Sequence, residues 1–225
     1  MTPLSAQAWR HTLGSALPFA TVLFVSAWTL RYGEAWLYLG IYLVGACFNT
    51  AYFLRHDPAL VRRRLRAGPG AESLSSQRTI QAITAICLLA TFVLAGLDHR
   101  WRWSNLPLPA VALADAVLVS AMLLVFATFR HNSYAASTVE VAPAQAVSVV
   151  GPYAWVRHPM YLGSAIAFLA TPVALGSAYA WLGAIPATCA LVMRLLDEER
   201  LLAAQLRGYA AYCTRVRFRL LPGVW

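Results

Sequence analysis

The chain has 225 residues, of which 60% are hydrophobic and 12% charged. A soluble domain typically carries about 45–50% apolar and about 25% charged residues, so too few polar side chains exist here to cover a soluble surface. The same composition excludes disorder, a disulfide scaffold and a coiled coil. All 18 basic residues are arginines and stand against 9 acidic ones, a formal charge of +9; they fall between apolar runs, not in a separate basic domain, which argues against nucleic-acid binding.

A helix needs roughly 20 apolar residues to cross a hydrocarbon core of about 30 Å. Leu13–Leu30, Ala35–Leu54, Ile80–Leu97 and Ala110–Phe129 meet or approach that length. The first run exceeds the apolar region of a secretory signal, about 7–15 residues, and shows no clear cleavage site, so it reads as a span. The polar segment 55–79 reads as a surface connector. Its GPG at Gly68–Gly70 follows no strand and lacks the spacing of a nucleotide fingerprint. Further on, Met160–Arg194 is apolar but interrupted by Pro172, Gly176, Ser177 and Gly183. It reads as a helical hairpin, Met160–Leu175 and Ala178–Arg194, with arms of about 25 Å at 1.5 Å per residue. A helix is expected to continue to about Tyr212 along the membrane surface, turning Leu195, Leu202, Leu206 and Tyr209 toward lipid or protein.

The expected fold is therefore an all-α integral membrane protein. It has about six transmembrane helices, four spans plus a C-terminal helical hairpin, followed by an interfacial amphipathic helix. Residues 1–127 would hold the N-terminal transmembrane helices and residues 128–225 the catalytic, cofactor-binding region. Arginine placement sets the orientation. Arg55, Arg62, Arg63, Arg64 and Arg66 crowd one loop, and Arg200, Arg207, Arg215, Arg217 and Arg219 the tail, whereas the Arg31–Glu34 and Asp98–Pro109 loops hold Arg31, Arg100 and Arg102. Six crossings then put both termini and segments 55–79 and 130–159 in the cytoplasm, with a bacterial inner membrane the expected location. Exposed apolar faces are normal in lipid and leave the oligomeric state open.

Cys47, Cys87, Cys189 and Cys213 show no metal-ligand or disulfide spacing and read as packing residues; no metal is expected. Asp115 is an intramembrane carboxylate and so a functional candidate, but four residues into its run it is expected to reach the interface, and Asn49 carries no stronger signal. A small transporter with Asp115 and Asn49 along its path is the non-enzymatic alternative.

Polar residues converge in two places. In GPYAWVRHPMYLG, Gly151–Gly163, Pro159 disfavours helix at His158 and suits the first position of the helix that follows. Arg157 and His158 should thus lie beside a helix N-terminus whose free N–H groups favour an anion. In Arg194–Arg200, Arg194 and Glu198 are i,i+4 neighbours, and the hairpin returns Glu198 and Glu199 to the side of Arg157 and His158. S-adenosylmethionine suits a site where basic and acidic corners face each other. Its carboxylate needs Arg, His or N–H donors, its ammonium and ribose need carboxylates, and its adenine needs apolar walls, for which Tyr153, Trp155, Tyr161, Tyr209 and Tyr212 are candidates.

Here the chain resembles the membrane methyltransferases that include isoprenylcysteine carboxyl methyltransferase and the phospholipid N-methyltransferases. The matching residues are GPYAWVRHPMYLG, 34 intervening residues, Glu198-Glu199, GYAAY at Gly208–Tyr212 and RLLP at Arg219–Pro222, preceded by TFRHNSYAASTVEV at Thr128–Val141. The resemblance implies an S-adenosylmethionine site in which His158 and Tyr161 contact the cofactor, with Arg157 beside them and Gly151, Pro152 and Tyr153 around it. Glu198 or Glu199 would take its amino group or ribose, and Arg194 would support the glutamates or orient the acceptor. Arg194, Glu198 and Glu199 are the candidate catalytic residues. A lipophilic acceptor would enter from the bilayer among membrane lipids and attack the sulfonium methyl in line; a carboxylate is already ionised for this, whereas a thiol or amine also needs a base. Membrane sterol reductases share a related C-terminal architecture, so an NADPH-dependent reductase is the enzymatic alternative, although the chain lacks their longer array of spans.

Overall fold

A computed structural model of the chain describes residues 2–72, 74–135, 137–139 and 145–225. Of the segment Thr128–Val141 quoted above, Ala136, Glu140 and Val141 lie outside the described residues. The helices are α1 (Pro3–Ala27), α2 (Gly33–His56), α3 (Pro58–Leu65), α4 (Ser75–Trp101), α5 (Leu108–His131), α6 (Pro159–Ala174), α7 (Trp181–Gln205) and α8 (Tyr209–Arg215), and no strand occurs among the described residues. Local chemistry sets several boundaries. Thr2 caps α1 by accepting from Ser5 N at 3.2 Å, and Asp57 caps α3 by accepting from Leu60 N at 2.9 Å. Each has proline at the next position, where the missing N–H costs nothing. Pro159 likewise opens α6.

By length and composition, α2, α4 and α5, of 24, 27 and 24 residues, can cross a membrane. The apolar α6 has 16 residues. Helix α4 packs against α1 and α7, and α6 packs against α5 and α7. Small residues allow the close approach that substitutes for a hydrophobic driving force in lipid. A Cβ on Gly183 would stand 2.5 Å from Thr91 N and 2.6 Å from Cys87 O of α4. The buried centre is built from Leu23, Tyr32, Ala35, Phe92, Ala95, Leu118 and Ala174. At the hairpin turn, Tyr32 donates to Leu175 O at 2.5 Å. The buried Asp98 accepts there from Ser104 N, Ser104 Oγ and Ser177 Oγ at 2.7, 2.6 and 2.5 Å.

Four expectations are corrected. Segment 55–79 is no mere surface connector: it contains α3 and buries Leu60, Glu72 and Gln77. The helix after the hairpin does not run unbroken to Tyr212. It stops at Gln205, and Gly208 at φ +87° turns the chain into α8, a backbone state that only glycine adopts freely. Leu195, Leu202, Leu206 and Tyr209 accordingly face protein. Asp115 does not reach the interface: its side chain is buried, and neither oxygen has a hydrogen-bond partner among the described residues. Finally, the cysteines are all free, but they are not uniformly packing residues, since Cys189 is exposed and Cys213 accepts from Arg157 Nη1 at 3.4 Å.

Candidate active site

The C-terminal end of α5, the N-terminal end of α6 and the exit of α7 enclose a cavity of about 430 Å³ with segment 55–81. Its walls include Tyr153, Arg157, His158, Tyr161, Arg194, Glu198, Tyr209 and Tyr212. The hairpin thus brings the RHP motif and the first glutamate to one space.

Glu199 lies behind the wall and acts as a clamp. Arg157 Nη1 meets its Oε1 at 2.5 Å and Arg219 Nε its Oε2 at 2.6 Å, while His158 Nε2 stands 3.7 Å from Oε1. Burial alone would raise the Glu199 pKa, but the His158 ring, the Arg219 hydrogen bond and the Arg157 charge outweigh it and hold the carboxyl at about 2. The tail reinforces this clamp: Arg157 N donates to Phe218 O at 2.9 Å and His158 N to Arg219 O at 3.0 Å. The backbone N–H groups of Arg157 and His158, just ahead of the helix start, are therefore occupied by the tail.

Glu198 faces the cavity and accepts from Tyr161 Oη. His158 Nε2 lies 3.3 Å from Tyr209 Oη. Tyr212 Oη donates to Tyr153 O at 2.8 Å, and Asn132 Nδ2 donates to Tyr153 Oη at the same distance. Burial pushes the Tyr153 hydroxyl up to about 12, against the opposing effect of Asn132. Burial, with Glu199 nearby, raises Tyr209 as well. These phenols stay neutral at ordinary pH and offer donors and ring faces.

Some expected residues fall elsewhere. Trp155 is 73% exposed and forms no wall of the cavity. Gly151 and Pro152 lie outside the lining, in a short helical turn over residues 151–154. Arg194 lines the cavity, but its hydrogen bonds go to Glu72 Oε1 at 2.7 Å and Ser137 O at 2.9 Å, not to Glu198. Its Nη1 is a buried donor without a partner among the described residues.

Sequence reasoning missed the opposite wall. Glu72 also accepts from Gln81 Nε2, and from Val139 N at 3.1 Å. Arg64 lines the same cavity, stacks 4.1 Å from the Phe129 centroid and donates to Ala135 O at 3.1 Å. It has no carboxylate partner among the described residues, and burial lowers its pKa to about 10. One signal was available: an arginine in an apolar helix, Arg194, calls for a carboxylate, and segment 55–79 contains only Asp57 and Glu72 as acids.

Part of this site lies in a stretch that is similar to known proteins. Over 106 residues the chain is 34% identical to Delta(14)-sterol reductase TM7SF2 of Mus musculus, covering 44% of this chain and 25% of that protein. The chain thus spans about a quarter of that relative's length. Residues 109–207 match the phospholipid methyltransferase family model. With three helices of bilayer length, that match supports an integral membrane protein. The matched stretch holds the RHP motif, the hairpin and the glutamate pair, so this part of the chain is similar to the phospholipid methyltransferase family.

Proposed function

We propose that the protein is an integral membrane methyltransferase that uses S-adenosylmethionine to methylate a lipophilic or small hydrophobic acceptor. The observation that carries this reading is one cavity that joins a cationic corner, Arg157 and His158, to a carboxylate, Glu198, between tyrosine rings. The cavity suits the cofactor in size and donor set, because small-molecule sites are typically about 300–1,000 Å³. Glu198 would take its ammonium or ribose hydroxyls. Arg64, Arg157 and His158 offer donors for its carboxylate, and Tyr153, Tyr209, Tyr212, Leu202 and Leu206 offer walls for adenine. When bound, the cofactor supplies an electrophilic sulfonium methyl.

The chain's own residues position the reactants. Tyr161 fixes Glu198 through its hydroxyl. Glu199 holds Arg157 beside His158, and Glu72 holds Arg194 against the opposite wall. Acceleration would come mainly from holding an acceptor about 3–3.5 Å from the methyl in a site that excludes water. An already ionised acceptor would need no base. Six crossings with the cavity on the cytoplasmic side remain our reading of the arginine distribution.

Calorimetric titration of detergent-purified protein with S-adenosylmethionine tests this. The wild type should bind, and Glu198→Gln, which removes a charged acceptor, should bind about tenfold to hundredfold more weakly. Absence of binding by the wild type would refute the reading. The similarity to a sterol reductase favours a second reading, a membrane reductase, and thermal stabilisation by NADPH but not by S-adenosylmethionine would establish it instead.

A further inference from the structure

At the other end of the bundle lies a polar cavity of about 830 Å³, between the loops that follow α1 and α4 and the hairpin turn. Arg31 and Arg102, the arginines of those two loops, and Arg100, in the last turn of α4, all line this space. None makes an ion pair among the described residues. Arg100 instead stands 5.7 Å from the Trp28 ring centroid and 5.2 Å from that of Trp101.

The backbone is committed here too. Trp28 and Arg102 are the non-glycine residues with positive φ among those described, both at 55°, and both line this cavity. Both residues end their helices, α1 and α4, in the left-handed conformation that terminates many helices, so the two helix ends fix where these side chains stand at the cavity. Two carboxylates face the same space. Asp98 is buried and saturated by the serine donors described above, and Glu34 lies on the α2 side. Three guanidiniums against these two leave one net positive charge, the complement of a single phosphodiester.

The location selects the source of that phosphodiester. The membrane-length helices α2, α4 and α5 all end at this cavity. Trp36, Trp101, Trp103 and Tyr179 stand 53, 52, 46 and 47% exposed around it. Such aromatic side chains settle at the headgroup level of a bilayer. We propose that this cavity binds the headgroup of an anionic phospholipid in the leaflet opposite the candidate active site, with Arg31, Arg100 and Arg102 on the phosphate and Trp28 against the glycerol backbone.

The test is the melting temperature of detergent-solubilised protein titrated with short-chain phosphatidylglycerol, short-chain phosphatidylcholine or inorganic phosphate. At about one hundred times Kd, phosphatidylglycerol should raise the wild-type melting temperature by about 5–10 °C, while the other two leave it nearly unchanged. The triple variant Arg31→Gln, Arg100→Gln, Arg102→Gln should lose the rise. The double variant Arg62→Gln, Arg66→Gln, exposed at the opposite end, should keep it. Four results would overturn the proposal: no preference for phosphatidylglycerol in the wild type, an equal rise with inorganic phosphate, an undiminished rise in the triple variant, or loss of the rise in the Arg62, Arg66 variant. Because the wild-type arms already decide, misfolding of the triple variant would not protect the proposal.

Discussion

The candidate active site has two banks, and the chain builds them differently. One runs from the RHP motif to the tail, where Glu199 of α7 ties together Arg157, just ahead of α6, and Arg219, after α8, across 42 and 20 positions in sequence. The other comes from segment 57–81 and residues 132–139, where Glu72 ties Arg194 to Gln81 and Val139 across as many as 122 positions in sequence. The Glu72 side chain is wholly buried, whereas Arg219 on the first bank remains 32% exposed. The comparison teaches that a motif announces the bank that can be read along the chain, while the more deeply buried carboxylate lies in the bank that cannot.

The sharpest way to break this comparison is Glu72→Ala. It strands the buried Arg194 guanidinium and should cost about 3–5 kcal/mol, read as a fall in melting temperature in detergent. Glu199→Gln should cost less, about 1–3 kcal/mol, because it keeps a polar acceptor in place and Arg219, one of its two arginine partners, keeps some water. If Glu199→Gln proves the more damaging in the same denaturation assay, the ranking of the two banks is reversed.

Acidity probes the first bank by itself. The folded Glu199 carboxyl sits at about 2 against an ordinary 4.5. The stability it provides is therefore complete above about pH 4.5 and is lost as pH falls toward 2. Melting curves across that window should decline less steeply in Glu199→Gln than in the wild type. Smaller again, Tyr161→Phe should cost about 0.5–1.5 kcal/mol yet weaken S-adenosylmethionine binding measurably, because it releases Glu198. Smallest, Arg64→Met should change stability by less than about 1 kcal/mol, since a buried charge without a carboxylate stabilises little; titration would report any change in binding.

Much of the frame was legible in the sequence because bilayer thickness constrains helix length. The runs Ala35–Leu54, Ile80–Leu97 and Ala110–Phe129 lie inside α2, α4 and α5, and the interruption at Gly176–Ser177 falls between α6 and α7. The motif was legible because Pro159 fixes a helix start and Glu198 returns at a set distance. Glu72 and Arg64 were hidden because a polar loop without periodicity gives no register, and their partners lie far away in sequence. Asp115 misled for a different reason: distance from a helix end predicts reach to water, but its neighbours Ala114 and Leu118 are packed inward, and it follows them.

The backbone bonds from Arg157 and His158 to Phe218 and Arg219 carry a consequence for synthesis. A nascent polypeptide whose last membrane helix has already been inserted still lacks the residues that seat its basic corner. Released chains truncated before position 217 should therefore insert their helices yet lack the seated basic corner, so that a few residues at the very end complete this side of the cavity.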